Sequence, residues 1–507
     1  MHSGRVRQLR KGGSTQMSTD GSQAPSRDTR QQPGLARGAL GLTGVVFQGV
    51  ATIGPAFGIL AVFQATVSFA GIVAPLAFLF AGLVILVTTV SVSQLAKQWP
   101  SAGGWYTWIA GALHPRAGFL GGWFWSIWLP PAALLTVAYL ASAVLQPAVK
   151  AEYGVSIPWW GFVLFCMAIV IWTSYRGIVL SARFLLVTTA IEMVIMVALA
   201  LSGLASPGHG GFNLEPFNPA NIGHAPNLFL GFVFSIFAYS GWESIAPLAE
   251  ESDNPRRNVP RALRLTIVIY GSFLLFVTWG LLVGTGTKNV GGIPGAAAFP
   301  GFTLAVRLWH GAWVIVLLAL LNSAIAVAIG SFNGATRTWY AMGRAGALPR
   351  FLGKVHPIRH TPHNAIHLMV AMSALTFLLA GIFGVANTYF TWATMITLGL
   401  IILYALANIG VLYHYLRDRA QFNPVIHVLF PALSTVAVGV VFYKTIVPLP
   451  AVPEKYGPAA LGIYLLLALV ALVYLKLRGR EDWLIRAGKA FDEDEAAEPP
   501  VPQPVSE

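Results

Sequence analysis

The sequence is poor in charge and nearly devoid of cysteine. A single cysteine, Cys166, among 507 residues excludes a disulfide framework and a cysteine metal site within the chain. Charged residues make up 10% against 56% hydrophobic, which excludes a soluble enzyme and indicates a polytopic membrane protein. There is no Gly-Lys-Ser/Thr phosphate loop, so energy must come from an ion or substrate gradient. No hydrophobic signal core precedes the first long apolar run. Nor does any cluster of acids, bases or metal ligands sit at one depth, as a membrane-embedded enzyme requires. The expectation is a non-enzyme with no cofactor and no resident metal.

Twelve apolar segments fall near residues 39–66, 70–96, 118–145, 157–176, 180–203, 226–249, 261–285, 309–342, 363–384, 387–415, 424–446 and 457–477. Each is long enough to cross a bilayer as a helix. With the N-terminus placed in the cytoplasm, only Lys150, Lys288, Arg307, Lys444 and Lys455 of the 32 Lys and Arg residues fall outside. That is the positive-inside asymmetry, with both termini cytoplasmic. The formal net charge of +13 is thus an orientation signal and not a nucleic-acid footprint. Residues 1–38 read as a disordered basic cytoplasmic tail, and 486–507 as an acidic, Pro-rich one.

Two segments are interrupted at mid-depth. The first carries Ile53-Gly54-Pro55-Ala56-Phe57-Gly58. Proline and glycine there break a helix where unpaired backbone groups cost several kcal/mol each, so the break must be buried in protein or line a wet cavity. The sixth segment carries Phe237-Ala238-Tyr239-Ser240-Gly241-Trp242-Glu243. Five spans separate the two, and an odd repeat returns upside down. Residues 39–203 and 226–415 are therefore expected as inverted halves, with 424–477 as two further spans. Interrupted helices at equivalent positions of inverted halves point to a midplane transport site.

Of 19 acidic residues, only Glu192 and Glu243 lie in the membrane. A carboxylate at that depth faces a cavity or a partner, or carries a proton. Asn322 and Ser323, near mid-depth of the eighth segment, are sodium-ligand candidates. The stretch Glu250-Glu251-Ser252-Asp253-Asn254-Pro255-Arg256-Arg257 reads mainly as capping and orientation, with a cytoplasmic gate as the sharper possibility. Trp123, Trp125 and Trp128 on the third segment read mainly as lipid-facing or core packing, with a lining of the site as the sharper possibility. Thr391, Thr394 and Thr397 mark the tenth segment.

These stretches resemble the amino acid–polyamine–organocation superfamily of secondary transporters over residues 39–480. The resemblance rests on Phe237 to Glu243 continuing into Glu250-Glu251…Asn254-Pro255-Arg256-Arg257…Val259-Pro260-Arg261-Ala262. The turn from Pro100 to Tyr106 and the run Arg337…Met342…Pro349 also carry it. It implies an all-α, twelve-span leucine-transporter fold, two inverted five-helix repeats plus two C-terminal helices. It also implies an α-amino acid bound between the two breaks. The substrate contacts would be Ile53, Gly54, Ala56, Phe57 and Gly58 of the first break and Phe237, Ala238, Tyr239, Ser240, Gly241 and Trp242 of the second. Phe237 would be the aromatic gate and Trp242 a cavity wall. Pro55 lacks an N–H, so Ala56, Phe57 and Gly58 would hold the carboxylate. Some members place a lysine in the fifth span instead of sodium. Here that position falls on Glu192, which would instead carry the coupling proton.

The resulting expectation is proton-coupled uptake of an amino acid or related amine by a multi-pass protein of the cell membrane. The partners would be the substrate, H+ and the lipid bilayer, with no nucleic acid. An amino acid/amine exchanger is one alternative. A membrane-embedded sensor that binds without transport is another.

Overall fold

The computed structural model describes residues 34–293, 299–479 and 482–487. The bulk of both tails, residues 1–33 and 488–507, lies outside these. Among the described residues the structure is built from helices, with one isolated backbone bridge, Leu40 to Ser252. Eleven helical runs among the described residues are long and apolar enough to cross a membrane. The first, Leu42–Gln98, has 57 residues. At 1.5 Å per residue that is roughly 85 Å, far beyond the ~30 Å of a bilayer core. Gly71, at φ 61, divides it into two crossings, so the run accommodates the twelve expected spans.

Span one comprises Leu42–Ile53, Pro55–Phe57, a π turn Gly58–Val62 and Phe63–Ala70. Span two is Ala74–Gln98, span three runs from Pro115 to Ala151, and spans four and five are Trp159–Arg176 and Ile178–Ala205. Span six is Leu228–Tyr239 followed by a 3-10 helix, Trp242–Glu251. Spans seven to twelve are Pro255–Thr285, Val314–Ala345, His363–Phe383, Val385–Arg417, Val425–Ile446 and Tyr456–Leu477. Two short helices, Trp105–Ala112 and Pro300–Trp309, were not foreseen. The second shortens span eight at its start. Span seven begins six residues before the apolar run, because Pro255 fits a helix start and the arginines extend the helix beyond the hydrocarbon.

The punctuation recurs at a five-span offset. Spans four and five join at Gly177, φ 111, and spans nine and ten at Gly384, φ 85. A positive φ lets the chain turn with no connecting loop. Spans one and six sit at the centre. Span one packs on spans five, seven and eight and on the second half of span six. In the most apolar window of span six 72% is buried, against 17% in span twelve. Spans eleven and twelve therefore present most of their surface to lipid.

Candidate functional site

Both central spans are broken where the sequence places the breaks, and the breaks touch. Helix Leu42–Ile53 ends on Gly54, which adopts φ 76, and Pro55 opens the next turn, where its missing N–H is no loss. Helix Leu228–Tyr239 ends on extended Ser240, and Gly241 turns the chain at φ 124. A methyl group placed on Gly241 would lie 2.6 Å from Ile53 N and from the Thr52 carbonyl carbon. Only glycine permits that approach. The first half of span one lies beside the second half of span six, and the reverse holds for the other two halves. The two spans are therefore antiparallel. Ser244 donates to Thr52 Oγ1 across the junction at 3.0 Å.

Breaking two helices creates two new N-terminal ends, each with exposed N–H groups and the positive end of the dipole. Each receives a carboxylate from the protein itself. Glu192 of span five accepts from the Ala56 amide at 2.6 Å through Oε1 and from Asn322 Nδ2 at 2.8 Å through Oε2. The Phe57 amide donates to Ser323 Oγ at 3.1 Å, and Gly58 N to Gly54 O at 2.7 Å. At the second break, Gly241 N donates to Glu243 Oε2 at 2.6 Å. Tyr404 of span ten donates its hydroxyl proton to Glu243 Oε1. Trp242 Nε1 reaches Tyr404 Oη at 3.2 Å, and Trp105 Nε1 reaches the Glu243 carbonyl at 3.3 Å. Spans five and ten stand at the five-span offset again.

A cavity of about 30 Å³ lies between the breaks, room for one or two waters. Of the expected contacts, Ile53, Phe57, Gly58, Phe237, Ala238, Ser240 and Gly241 line it. Gly54, Ala56, Tyr239 and Trp242 do not. Ala56, Phe57 and Gly58, expected to hold a substrate carboxylate, have their amides engaged within the protein. Trp242 is wholly buried behind the break against Trp105 and Tyr404, so it is no cavity wall. Tyr239 points away and donates to the Phe78 carbonyl at 3.1 Å. Asn322 and Ser323 hold Glu192 and the Phe57 amide, the place where a sodium ion was considered.

The lining also contains Trp128 of the third-span aromatic stripe, and Thr52, Thr136, Val327 and Ser331, which were not among the expected contacts. Trp128 carried a signal, since it belongs to the aromatic stripe read mainly as packing. Ser331 and Thr136 carried none. Tyr404 was likewise missed in span ten, where the three threonines drew attention. Those bond to backbone carbonyls, Thr394 to Phe390 O at 3.0 Å and Thr397 to Ala393 O at 2.9 Å among them.

Side chains pack against one another toward both ends of the cavity. At the end away from the basic loops, Tyr139 stacks on Tyr389 with ring centroids 4.3 Å apart, and Phe57 and Phe237 meet Tyr389 edge-on. At the basic end, Arg337 of span eight grips Glu251 with Nε–Oε2 2.7 Å and Nη2–Oε1 3.2 Å. Their side chains are 3% and 1% exposed. Arg344 pairs with Glu250 at 2.8 Å, and Glu250 also accepts from Ala102 N at 2.9 Å. The Leu40 amide donates to the Glu251 carbonyl at 2.9 Å, tying the start of span one into the same closure. Of the acids weighed for a gate from sequence, Glu250 and Glu251 are paired, and the bases that pair with them come from span eight.

A sequence model described as Amino acid permease matches residues 44–480. The chain is 27% identical over 358 residues to the low-affinity putrescine importer PlaP of Escherichia coli (strain K12), covering 68% of this chain and 74% of that protein. It is 29% identical over 303 residues to the uncharacterized amino acid permease YecA of Bacillus subtilis (strain 168), covering 59% and 67%. It is 24% identical over 312 residues to the large neutral amino acids transporter small subunit 2 of Oryctolagus cuniculus, covering 60% and 57%.

Proposed function

The chain belongs to the amino acid permease family, and from that premise we propose proton-driven uptake of an amino acid or closely related amine across the cell membrane. The basic end faces the cytoplasm, with both termini on that side. Residues 39–203 and 226–415 act as the two inverted halves, and 424–477 as scaffold. Relatives named as a putrescine importer and a large neutral amino acids transporter support this breadth of substrate.

The observation that carries the coupling is the place of Glu192. Its carboxyl joins three separate elements: the restart of span one at Ala56, span five, and span eight at Asn322. As a carboxylate it can only accept, and it holds both donors. Once protonated it becomes a donor on one oxygen, and its grip on one of the two partners weakens. Loading and release of a proton there changes how span one is held to span eight. Those two spans also carry the closure at the basic end.

The side chains packed toward both ends of the narrow cavity support an occluded reading. Parting of Tyr139, Tyr389, Phe57 and Phe237 opens it outward. Separation of Glu250 and Glu251 from Arg344 and Arg337 opens it inward. In proteoliposomes, an inside-alkaline pH gradient should drive accumulation of a labelled amino acid or amine, and a protonophore should abolish it. Specific binding without accumulation would contradict transport.

A further inference from the structure

A second cavity, apart from the breaks, has a volume of about 580 Å³, within the ~300–1,000 Å³ of small-ligand sites. It lies at the basic end, between the end of span eight, the end of span twelve and the first turn of span three. Its floor is buried and apolar: Phe119, Ala345, Ala347 and Trp483. Trp483 comes from the short helix Asp482–Arg486 that follows span twelve, and it meets the Phe119 ring with centroids 5.9 Å apart. The mouth is exposed and carries Arg350, Tyr474 and Asp482. Ala471 and Leu475 make an apolar wall that leads from the mouth along span twelve into the hydrocarbon.

We infer that this cavity binds the headgroup of a membrane phospholipid, and that the headgroup is phosphoethanolamine. Arg350 and Asp482 stand on one lining with opposite charges, and neither forms an ion pair among the described residues. A second guanidinium, Arg478, lies 5.4 Å over the Tyr474 ring. The mouth thus offers cations to a phosphate and one carboxylate to an ammonium group. Trp483, 3% exposed, adds an indole N–H with no partner among the described residues. Buried donors are seldom left so, and a phosphate oxygen in this cavity would accept from it. A phosphoglycerol headgroup would leave Asp482 without a counter-charge, and phosphocholine would present it no N–H. The cavity's place makes the source lipid. Tyr474 and Leu477 beside it are 51% and 81% exposed on span twelve, and a ring among arginines marks the headgroup level. The apolar wall then takes an acyl chain. A phosphate held between Arg350 and Trp483 would also tie the short helix to the end of span eight, whose last turn carries Arg344 of the closure.

The test uses the purified full chain, delipidated in detergent and offered phosphatidylethanolamine, phosphatidylcholine or phosphatidylglycerol of matched acyl chains. Bound lipid is counted by native mass spectrometry. Phosphatidylethanolamine should bind about tenfold more tightly than the other two, the factor of one hydrogen bond to a charge. Asp482→Asn should bring it down to the level of phosphatidylcholine. Arg350→Gln should weaken all three by about fivefold, as expected for one cation at a headgroup. Both side chains are exposed, so the two variants should melt with the parent in lipid-free detergent. Equal binding of the three lipids, or a phosphatidylethanolamine preference that survives Asp482→Asn, would overturn the inference. Soluble glycerophosphoethanolamine competing as well as the lipid would overturn the membrane as its source. None of these readings depends on uptake, so the transporter reading stands or falls separately.

Discussion

A 2.6 Å hydrogen bond joins the Ala56 amide to Glu192 Oε1 across 136 residues of chain. It places a protein carboxylate on the helix end that restarts span one. A second carboxylate, Glu243, caps the restart of span six with support from Tyr404 of span ten. A transporter built from broken helices must satisfy four exposed ends in a medium with little water. Here two ends are closed from within, and the other two face the cavity.

The junction of the breaks requires glycine at position 241. Gly241→Ala is expected to destabilise by about 2–5 kcal/mol, from strain at φ 124 together with the 2.6 Å approach to the span-one backbone. Gly462→Ala on span twelve, where an added Cβ meets nothing within 4 Å, should be neutral or stabilising by about 0.5–1 kcal/mol. Thermal unfolding of the two variants in one detergent checks the contrast. Equal melting temperatures would contradict the close crossing.

The Arg337–Glu251 pair is buried, so loss of one partner leaves an uncompensated charge. Arg337→Met or Glu251→Leu alone should destabilise by about 3–5 kcal/mol, and the double variant should recover much of that. The coupling energy from the double-mutant cycle is the measurement, and additive losses would contradict the pairing. A cysteine introduced by Ser331→Cys should also react faster with an impermeant reagent from the basic side in the double variant than with the pair intact.

Tyr404→Phe removes the hydroxyl that donates to Glu243 and accepts from Trp242. With Glu243 left short of a donor in a wholly buried place, a loss of about 1–3 kcal/mol is expected. Chemical denaturation against Tyr443→Phe, an exposed tyrosine on span eleven, isolates the effect. Indistinguishable curves would show that Glu243 does not depend on span ten.

Glu454, in the connection between spans eleven and twelve, is buried, and burial raises its carboxyl above the ordinary range. A raised folded-state value means the folded chain holds that proton more tightly than the unfolded one. Its contribution is therefore full below the ordinary value of 4.5 and is lost as pH rises through the folded value. Glu454→Gln should melt higher than the parent at pH 7, and the gap should close by pH 4. A gap that widened on acidification would contradict this sign.

The membrane architecture and both breaks were legible because hydrocarbon tolerates so few exceptions. Gly54, Pro55 and Gly241 stood out as breakers in apolar runs, and Glu192 and Glu243 as lone carboxylates at depth. What the carboxylates touch was not legible. Whether Ala56 faces a ligand or Glu192 depends on the rotation of span five about its axis, which an almost uniformly apolar helix does not encode. Nor was it legible that Glu250 and Glu251 pair with Arg344 and Arg337 of span eight, which lie about ninety residues away in the chain.

The most direct test compares two assays of Glu192→Gln in proteoliposomes. Glutamine keeps an oxygen for the Ala56 amide but cannot take up or release a proton. Exchange of labelled for unlabelled substrate at equal pH should persist within about threefold of the parent, while accumulation driven by a pH gradient should vanish. Accumulation that rises with the gradient as steeply as in the parent would contradict the assignment of Glu192 as the coupling site.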